Sequence, residues 1–537
     1  MSDRPPKLPT LRARVAELHP SRRVAWALFF AACLVVTLLH LFVNGASIDH
    51  KELWIDEAST YLVARYPVAR IVSLSIEFHS QPPLYYLLLH FVTWLGSGEL
   101  LIRGFCWLLC LGYVAFVMLE LNELGVAARL GLCLLFIVNP HTRFLSHELR
   151  PYALSALSTF VASVLFLRLL RRPRDARLAL GYLLAAWVMV YALAFDVWTM
   201  AAHGLFGGAA ILVMLPRRGL RETLRTMWPI VLTLATLAAL YLPYLLYVLA
   251  HEPPSGAKPA LSKVLSEAVA FEHHASAVRR FTDLPGKPAF ALQVLALFGV
   301  LRRLLRKDGQ VLFWALLFFG QVAFCYGFML GKIPVAFRYL TPAFPALLMS
   351  MAIGFDAVVG PRLTRLAVPA LLLVGIGLIA TTAGPFRDWL RAPVPATNWR
   401  RLAAELAKIP GEKGLFFDNG HYAQMLEYAA RDDRSLRFFT HHYEDIPGTG
   451  MSAGGDFMTG AYIEQVLAEH AGETRCFFYS RDKRGARKER NRPVRVYEES
   501  FVPAMARLGY QEAFKLESGK IPDPFHDYFL ITGFCRP

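Results

Sequence analysis

Runs of about twenty apolar residues, the length that crosses a bilayer core, alternate with short arginine clusters through the first 385 residues. The runs fall near 24–43, 101–119, 126–142, 153–170, 179–196, 198–215, 228–250, 289–301, 311–330, 340–358 and 366–383, which predicts about eleven transmembrane helices. The first run follows a basic leader (Arg12, Arg14, Arg22, Arg23) and is longer than the apolar region of a signal peptide, so it reads as an uncleaved first helix. The stretch 82–95 is different. Its apolar part of about twelve residues would cover roughly 18 Å of a core of about 30 Å. It reads as a short helix in the outer interface, with Tyr85, Tyr86 and Trp94 at headgroup level. Residues 46–100 then form one long external loop.

From about residue 385 the pattern shortens. Strand-length apolar stretches at 414–417, 437–440, 476–479 and 528–532 alternate with helix-like segments at 398–408, 421–430 and 460–470. This predicts a small α/β domain. The expected division is a membrane domain over 1–384 and a soluble domain over 385–537. Trp399-Arg400-Arg401, at the start of the second, either faces lipid headgroups or caps a helix. A long loop at 251–288 is rich in Pro, Gly and His.

Composition agrees with a multi-span helical membrane protein: 55% of residues are hydrophobic and 18% charged, against roughly a quarter charged in soluble domains. The net charge of +16 is no nucleic-acid signal, because much of the excess sits in short loops between spans. Arg168, Arg171, Arg172, Arg174 and Arg177 form one cluster, and Arg217, Arg218, Arg221 and Arg225 another. Arg302, Arg303, Arg306 and Lys307 form a third, and Arg362 with Arg365 a fourth. With the N-terminus in the cytoplasm, all fall on the cytoplasmic side, and an odd number of spans sends the C-terminal domain outside. The loop around Glu120, Glu123 and Arg129 shows no such bias. Among seven cysteines no metal-ligand spacing occurs; five lie in apolar runs, whereas Cys476 and Cys535 lie in the polar region, where an oxidising compartment would let them pair.

Candidate chemistry collects in the external loops. The first holds the adjacent carboxylates Asp56 and Glu57, then His79, Gln81, Glu99 and Arg103. The second holds Arg150 and Tyr152, the third Asp196, and the fifth Arg338 and Tyr339. Arg103 either pairs with Glu99, four residues away on a helix, or binds phosphate. Glu272, His273 and His274 in the fourth loop could ligate a metal, but adjacent loop histidines read better as solvated, so no metal site is assigned. A guanidinium matches a phosphate anion with a planar fork of donors, and a carboxylate takes a proton from an attacking hydroxyl. Both together at a lipid boundary suit displacement at a sugar carbon whose leaving group is a lipid phosphate.

The succession Trp54-x-Asp56-Glu57-Ala58, Gln81-Pro82-Pro83-Leu84-Tyr85-Tyr86, Glu99-Leu100-Leu101-Ile102-Arg103 and Glu148-Leu149-Arg150-Pro151-Tyr152 resembles the GT-C class of membrane glycosyltransferases. It is similar, more closely, to the bacterial branch related to protein O-mannosyltransferases and lipid A aminoarabinose transferases. Arg338-Tyr339-Leu340-Thr341-Pro342-Ala343-Phe344-Pro345 resembles that family's late-helix motif. The resemblance covers roughly 24–350. It implies a polyprenyl-phosphate-linked sugar donor, a lipid, glycan or protein acceptor outside the cytoplasm, and transfer with inversion. It also implies Asp56 as the catalytic carboxylate and interfacial helices within 46–100. The expected location is the bacterial inner membrane, with the C-terminal domain in the periplasm. The rival readings are a transporter or flippase, and a ligase, for lipid-linked glycans. A requirement for a cofactor is not legible in the sequence.

Overall fold

The computed structural model describes residues 20–77, 81–251, 297–305, 308–329, 337–392, 398–417, 420–439, 460–482, 496–517 and 529–537. The chain divides into two compact units. One comprises Met1–Ile48, Arg103–Pro243 and Ala257–Ala392, and the other Asp49–Ile102, Tyr244–Gly256 and Pro393–Pro537. The second unit therefore takes in most of the first external loop together with the C-terminal part of the chain.

The first unit is a bundle of apolar helices, and the chain is a multi-span α-helical membrane protein. Among the described residues six helices are long and apolar enough to cross a membrane, with shorter apolar helices beside them. Each expected span except 289–301, which lies mostly outside the described residues, falls largely on helix, but that at 126–142 is divided at Asn139 into Val126–Val138 and Pro140–His147, and that at 179–196 leaves the α-helix after Ala192. The sequence separates these helices by local means. Asn139 ends Val126–Val138 and its side chain accepts the His141 N–H at 2.8 Å, capping Pro140–His147, which Pro140 opens. Asp175 caps Ala176–Ala192 in the same way. Val197–His251 and Ala343–Arg391 each break at a glycine with left-handed φ, Gly219 at 69° and Gly360 at 53°. A side-chain-bearing residue rarely adopts that backbone, so each glycine marks the join between two spans that the hydropathy pattern separates.

Several buried polar groups inside the bundle are paired, which a low-dielectric setting favours. His203 sits between Ser163 and Tyr182 at 3.1 and 3.0 Å. Asp196 is fully buried and accepts from Ser155 and Thr159 at 2.8 and 3.0 Å. The Glu120–Arg129 loop, silent on topology, has a structural reason to be so: Arg168 donates to Glu123 at 2.6 Å and also to the Glu120 carbonyl. One charge of the first arginine cluster is thereby matched within the protein.

The second unit is built on a five-stranded mixed sheet of order β2-β1-β3-β5-β4. Its strands are β1 (Lys413–Phe417), β2 (Leu436–Phe438), β3 (Cys476–Asp482), β4 (Gln511–Glu517) and β5 (Phe529–Cys535). β1 pairs in parallel with β2 and β3, and the helices Gly420–Ala429 and Gly460–His470 lie on the two crossovers. β5 runs antiparallel to β3 and β4. Every residue of β1 is buried, and Phe416, Ile463, Phe477, Tyr479, Phe501 and Phe534 form the core. Cys476 and Cys535 face each other across β3 and β5 and form a disulfide. β4 is the strand that hydropathy does not announce. Its residues 511–513 are exposed and two of them are polar, as suits the edge of a sheet.

Three short helices, Ile55–Ala64, Val68–Glu77 and Leu84–Thr93, fill the loop part of this unit. Val63, Ile71, Leu74 and Tyr86 form their common core. The tyrosines of Leu84–Thr93 do not face lipid: Tyr85 and Tyr86 are fully buried within the protein. A ten-residue helix has two faces. Tyr85, Tyr86 and Leu89 occupy the inner one, whereas Phe91, Trp94 and Leu95 are 52%, 69% and 78% exposed.

Candidate functional site

Asp56 occupies the first turn of Ile55–Ala64, half-buried. The next residue, Glu57, is fully buried. Its N–H donates to the Trp54 carbonyl at 2.9 Å, and its Oε2 accepts the Trp54 N–H at 3.3 Å. That reciprocal arrangement fixes the helix start, and two acidic residues in the first turn complement the helix dipole. Thr60 donates to the Asp56 carbonyl at 2.6 Å. Glu57 therefore has a structural task, while the Asp56 side chain sits on a locally rigid backbone at a helix entrance.

Gln81 is half-buried, and its N–H donates to Ser75 at 2.9 Å, joining Val68–Glu77 to the Pro82-Pro83 turn. His79, Glu272, His273 and His274 lie outside the described residues. Glu99 has a partner that sequence spacing does not reveal: Arg400 reaches its Oε1 at 2.7 Å. Trp399 is buried, and both it and Arg400 stand in the first turn of Asn398–Ala407.

In the first unit, Arg103 is 1% exposed and donates to the Ile48 carbonyl at 3.0 Å. A guanidinium so deeply placed is a fixed positive group at the end of its helix. Arg150 and Tyr152 are also buried, on the turn that joins Pro140–His147 to Tyr152–Arg171. Pro151 and the Arg150 N–H, which donates to Glu148 at 2.8 Å, set this turn. Arg338 and Tyr339 lie in the 3-10 turn Phe337–Leu340, with the guanidinium 5.3 Å from the Tyr339 ring centre and donating to its hydroxyl at 3.4 Å.

Packing brings these last two segments together. Phe144 lies between Tyr152 and Phe337, at 5.7 and 4.7 Å between ring centres. His141 contacts Phe344 at 4.8 Å and hydrogen-bonds the Thr341 hydroxyl at 3.3 Å. Phe195, beside the buried Asp196, stacks 5.1 Å from Tyr339. The second, third and fifth external loops of the sequence are thus one packed cluster carrying two arginines. His141 stands in the second loop of the sequence, but its contact with Thr341, 200 residues away, is not legible there. Among the described residues no three His, Cys, Asp or Glu side chains group as metal ligands.

Chemically, a guanidinium offers a phosphate group a planar fork of donors. A carboxylate at a rigid helix entrance is a hydrogen-bond acceptor and a proton acceptor.

No protein-family model and no curated protein matches the sequence. Solved structures do match. ArnT from Cupriavidus metallidurans in the apo state is 12% identical over 96% of this chain and 98% of its own, with a TM-score of 0.53. The same protein bound to undecaprenyl phosphate matches over the same shares at 12% identity and a TM-score of 0.49. The arabinosyltransferase EmbB from Mycobacterium smegmatis is 19% identical over 65% of this chain, with a TM-score of 0.37; the chain spans only 32% of its length. The likeness to apo ArnT is one of fold.

Proposed function

We propose that this protein is a GT-C membrane glycosyltransferase that moves a sugar from a polyprenyl-phosphate donor to an acceptor outside the cytoplasm, with inversion, and that it belongs to the bacterial branch named above. The observation that carries the reading is that Phe144 packs the segment bearing Arg150 and Tyr152 against the segment bearing Arg338 and Tyr339, in a fold like that of ArnT. That protein has also been solved with undecaprenyl phosphate, which supports the choice of donor.

In the proposed reaction an acceptor hydroxyl attacks the anomeric carbon of the donor. The bond from that carbon to the phosphate oxygen breaks, and the lipid phosphate leaves with the electron pair. Arg150 and Arg338 stabilise the charge that builds on the departing phosphate, with Tyr152 and Tyr339 lining the donor site. Arg103 adds positive charge, and His79 and Gln81 contact the donor. Asp56 accepts the hydroxyl proton and stabilises the cationic character of the sugar ring. Glu57 assists by fixing the turn that presents Asp56.

The same reading places the domain of residues 385–537 in the periplasm of a bacterium and the N-terminus in the cytoplasm. A disulfide at Cys476–Cys535 fits an oxidising compartment. The exposed Phe91, Trp94 and Leu95 fit a helix resting in the outer headgroup region.

Mass spectrometry of the lipid that copurifies with the protein tests the reading. A polyprenyl phosphate carrying one sugar supports it. A lipid-linked polymer would point to a ligase, and unchanged lipid moved across vesicles without transfer would point to a flippase.

A further inference from the structure

We propose that Arg400 is a positioning residue for Asp56, and that the C-terminal part of the chain serves the reaction by gripping the loop that carries this acid. The proposal rests on the reading of Asp56 as base.

Arg400 joins two places far apart in sequence. Its backbone N–H donates to Glu52 Oε1 at 2.8 Å, and the Trp399 N–H approaches Oε2 at 3.4 Å. The Glu52 carboxylate therefore caps the N-terminus of Asn398–Ala407, where exposed N–H groups favour an anion. The Arg400 side chain donates through Nη2 to Glu99 Oε1 at 2.7 Å and to the Asp49 carbonyl at 3.2 Å. One residue thus holds the entrance of the loop, at Asp49 and Glu52, and its exit, at Glu99. Glu52 is two residues from Trp54, whose N–H is bonded to Glu57 beside Asp56.

A second grip lies further along the same part of the chain. The helix Gly420–Ala429 packs on Ile55–Ala64, with Tyr428 edge-on to Tyr61 at 4.8 Å. Tyr428 donates its hydroxyl to the Ser97 carbonyl at 2.9 Å. Arg431 stacks 4.4 Å over Tyr428 and donates to the Ser97 hydroxyl at 3.2 Å. All these residues belong to one compact unit.

The physical logic is loop closure. A segment of this length has a large conformational entropy when its ends are free, and a proton acceptor works only when held within a fraction of an ångström of its target. The Arg400 and Glu99 side chains are 20% and 11% exposed, so water screens their pair less than it would a surface pair. Both bonds leave from one nitrogen, Nη2, so the grip depends on the charge and on the reach of the arginine side chain, and a lysine keeps the charge without that reach.

Hydrogen exchange on the full chain in detergent tests this, with Arg400→Ala and Arg400→Lys beside the wild type. Sugar transfer is measured with a panel of undecaprenyl-phosphate-linked pentoses and hexoses. In the Ala variant, exchange quickens in peptides covering 49–64 while the β1–β5 peptides keep their rates. Its kcat falls by about ten- to a hundredfold, with KM for the donor unchanged. The Lys variant lies between the two in both readouts. Unchanged exchange at 49–64 overturns the proposal, as does exchange raised equally across the sheet, or a wild-type kcat in the Ala variant. An active Asp56→Asn variant would refute the base instead, and leaves the exchange result standing.

Discussion

Phe144 meets Phe337 edge-on with 4.7 Å between ring centres, and this contact ties the turn bearing Arg150 to the turn bearing Arg338. Both rings are only half-buried, so the contact sets position more than stability. Phe144→Ala is expected to keep the fold and to weaken undecaprenyl phosphate binding by about tenfold, or about 1.4 kcal/mol. Titration of the purified protein with undecaprenyl phosphate in detergent checks this, and unchanged affinity would remove the packing argument.

Arg150 and Arg338 are assigned to the donor phosphate, so truncation removes a charge-assisted contact rather than bulk. Each Ala variant should lose about 2 kcal/mol or more of affinity for undecaprenyl phosphate. Each Lys variant should recover only part of it, because an ammonium does not reproduce the fork. Full recovery by lysine would mean that charge alone is read at that position.

The disulfide between Cys476 and Cys535 closes 59 residues of chain. A bridge over a loop of that size contributes about 4 kcal/mol in the loop-entropy account. Reduction, or a Cys→Ser pair, should lower the melting temperature of the second unit by several degrees. Differential scanning fluorimetry with and without reductant reads this directly.

Asp433 gives the second unit a pH dependence. Burial raises its pKa, but the Ser435 hydroxyl and N–H, with the Lys413 ammonium, outweigh that and hold it below the usual carboxylate value. Lys413 is itself almost fully buried and donates to the Ile409 carbonyl at 2.8 Å. A carboxyl whose folded pKa is depressed contributes stability above its unfolded value. That contribution is lost as the pH falls through the folded value. Melting temperature should therefore drop on acidification below the ordinary carboxylate range, and this limb should flatten in Asp433→Asn, which also melts a few degrees lower at neutral pH. An identical acid limb in the variant would assign the effect to other groups.

How far these features were legible depended on how local their cause is. Apolar runs announce helices because twenty such residues have little alternative, and Gly219 and Gly360 divide the long runs where hydropathy dips. β1 and β3 were readable as short apolar stretches buried in the sheet. β4 was not, because an edge strand with exposed polar residues has the composition of a loop. Tyr85 and Tyr86 illustrate a different limit: an aromatic on a short apolar helix looks the same whether it meets lipid or a neighbouring helix, and only the core with Val63, Ile71 and Leu74 decides it. The Arg400–Glu99 pair spans 301 residues, and no local pattern anticipates such a contact. At the candidate site, residue types and their order were legible, whereas the packing of Phe144, His141 and Phe337 that joins the two segments was not.

Sugar transfer by the Asp56→Asn variant is the most direct measurement of the central claim. The amide has nearly the shape of the acid but no capacity to take the acceptor's proton. The variant should fold, bind undecaprenyl phosphate as the wild type does, and transfer sugar about a hundred- to ten-thousandfold more slowly. Transfer at the wild-type rate, with donor binding intact, would contradict the assignment of Asp56 as the base.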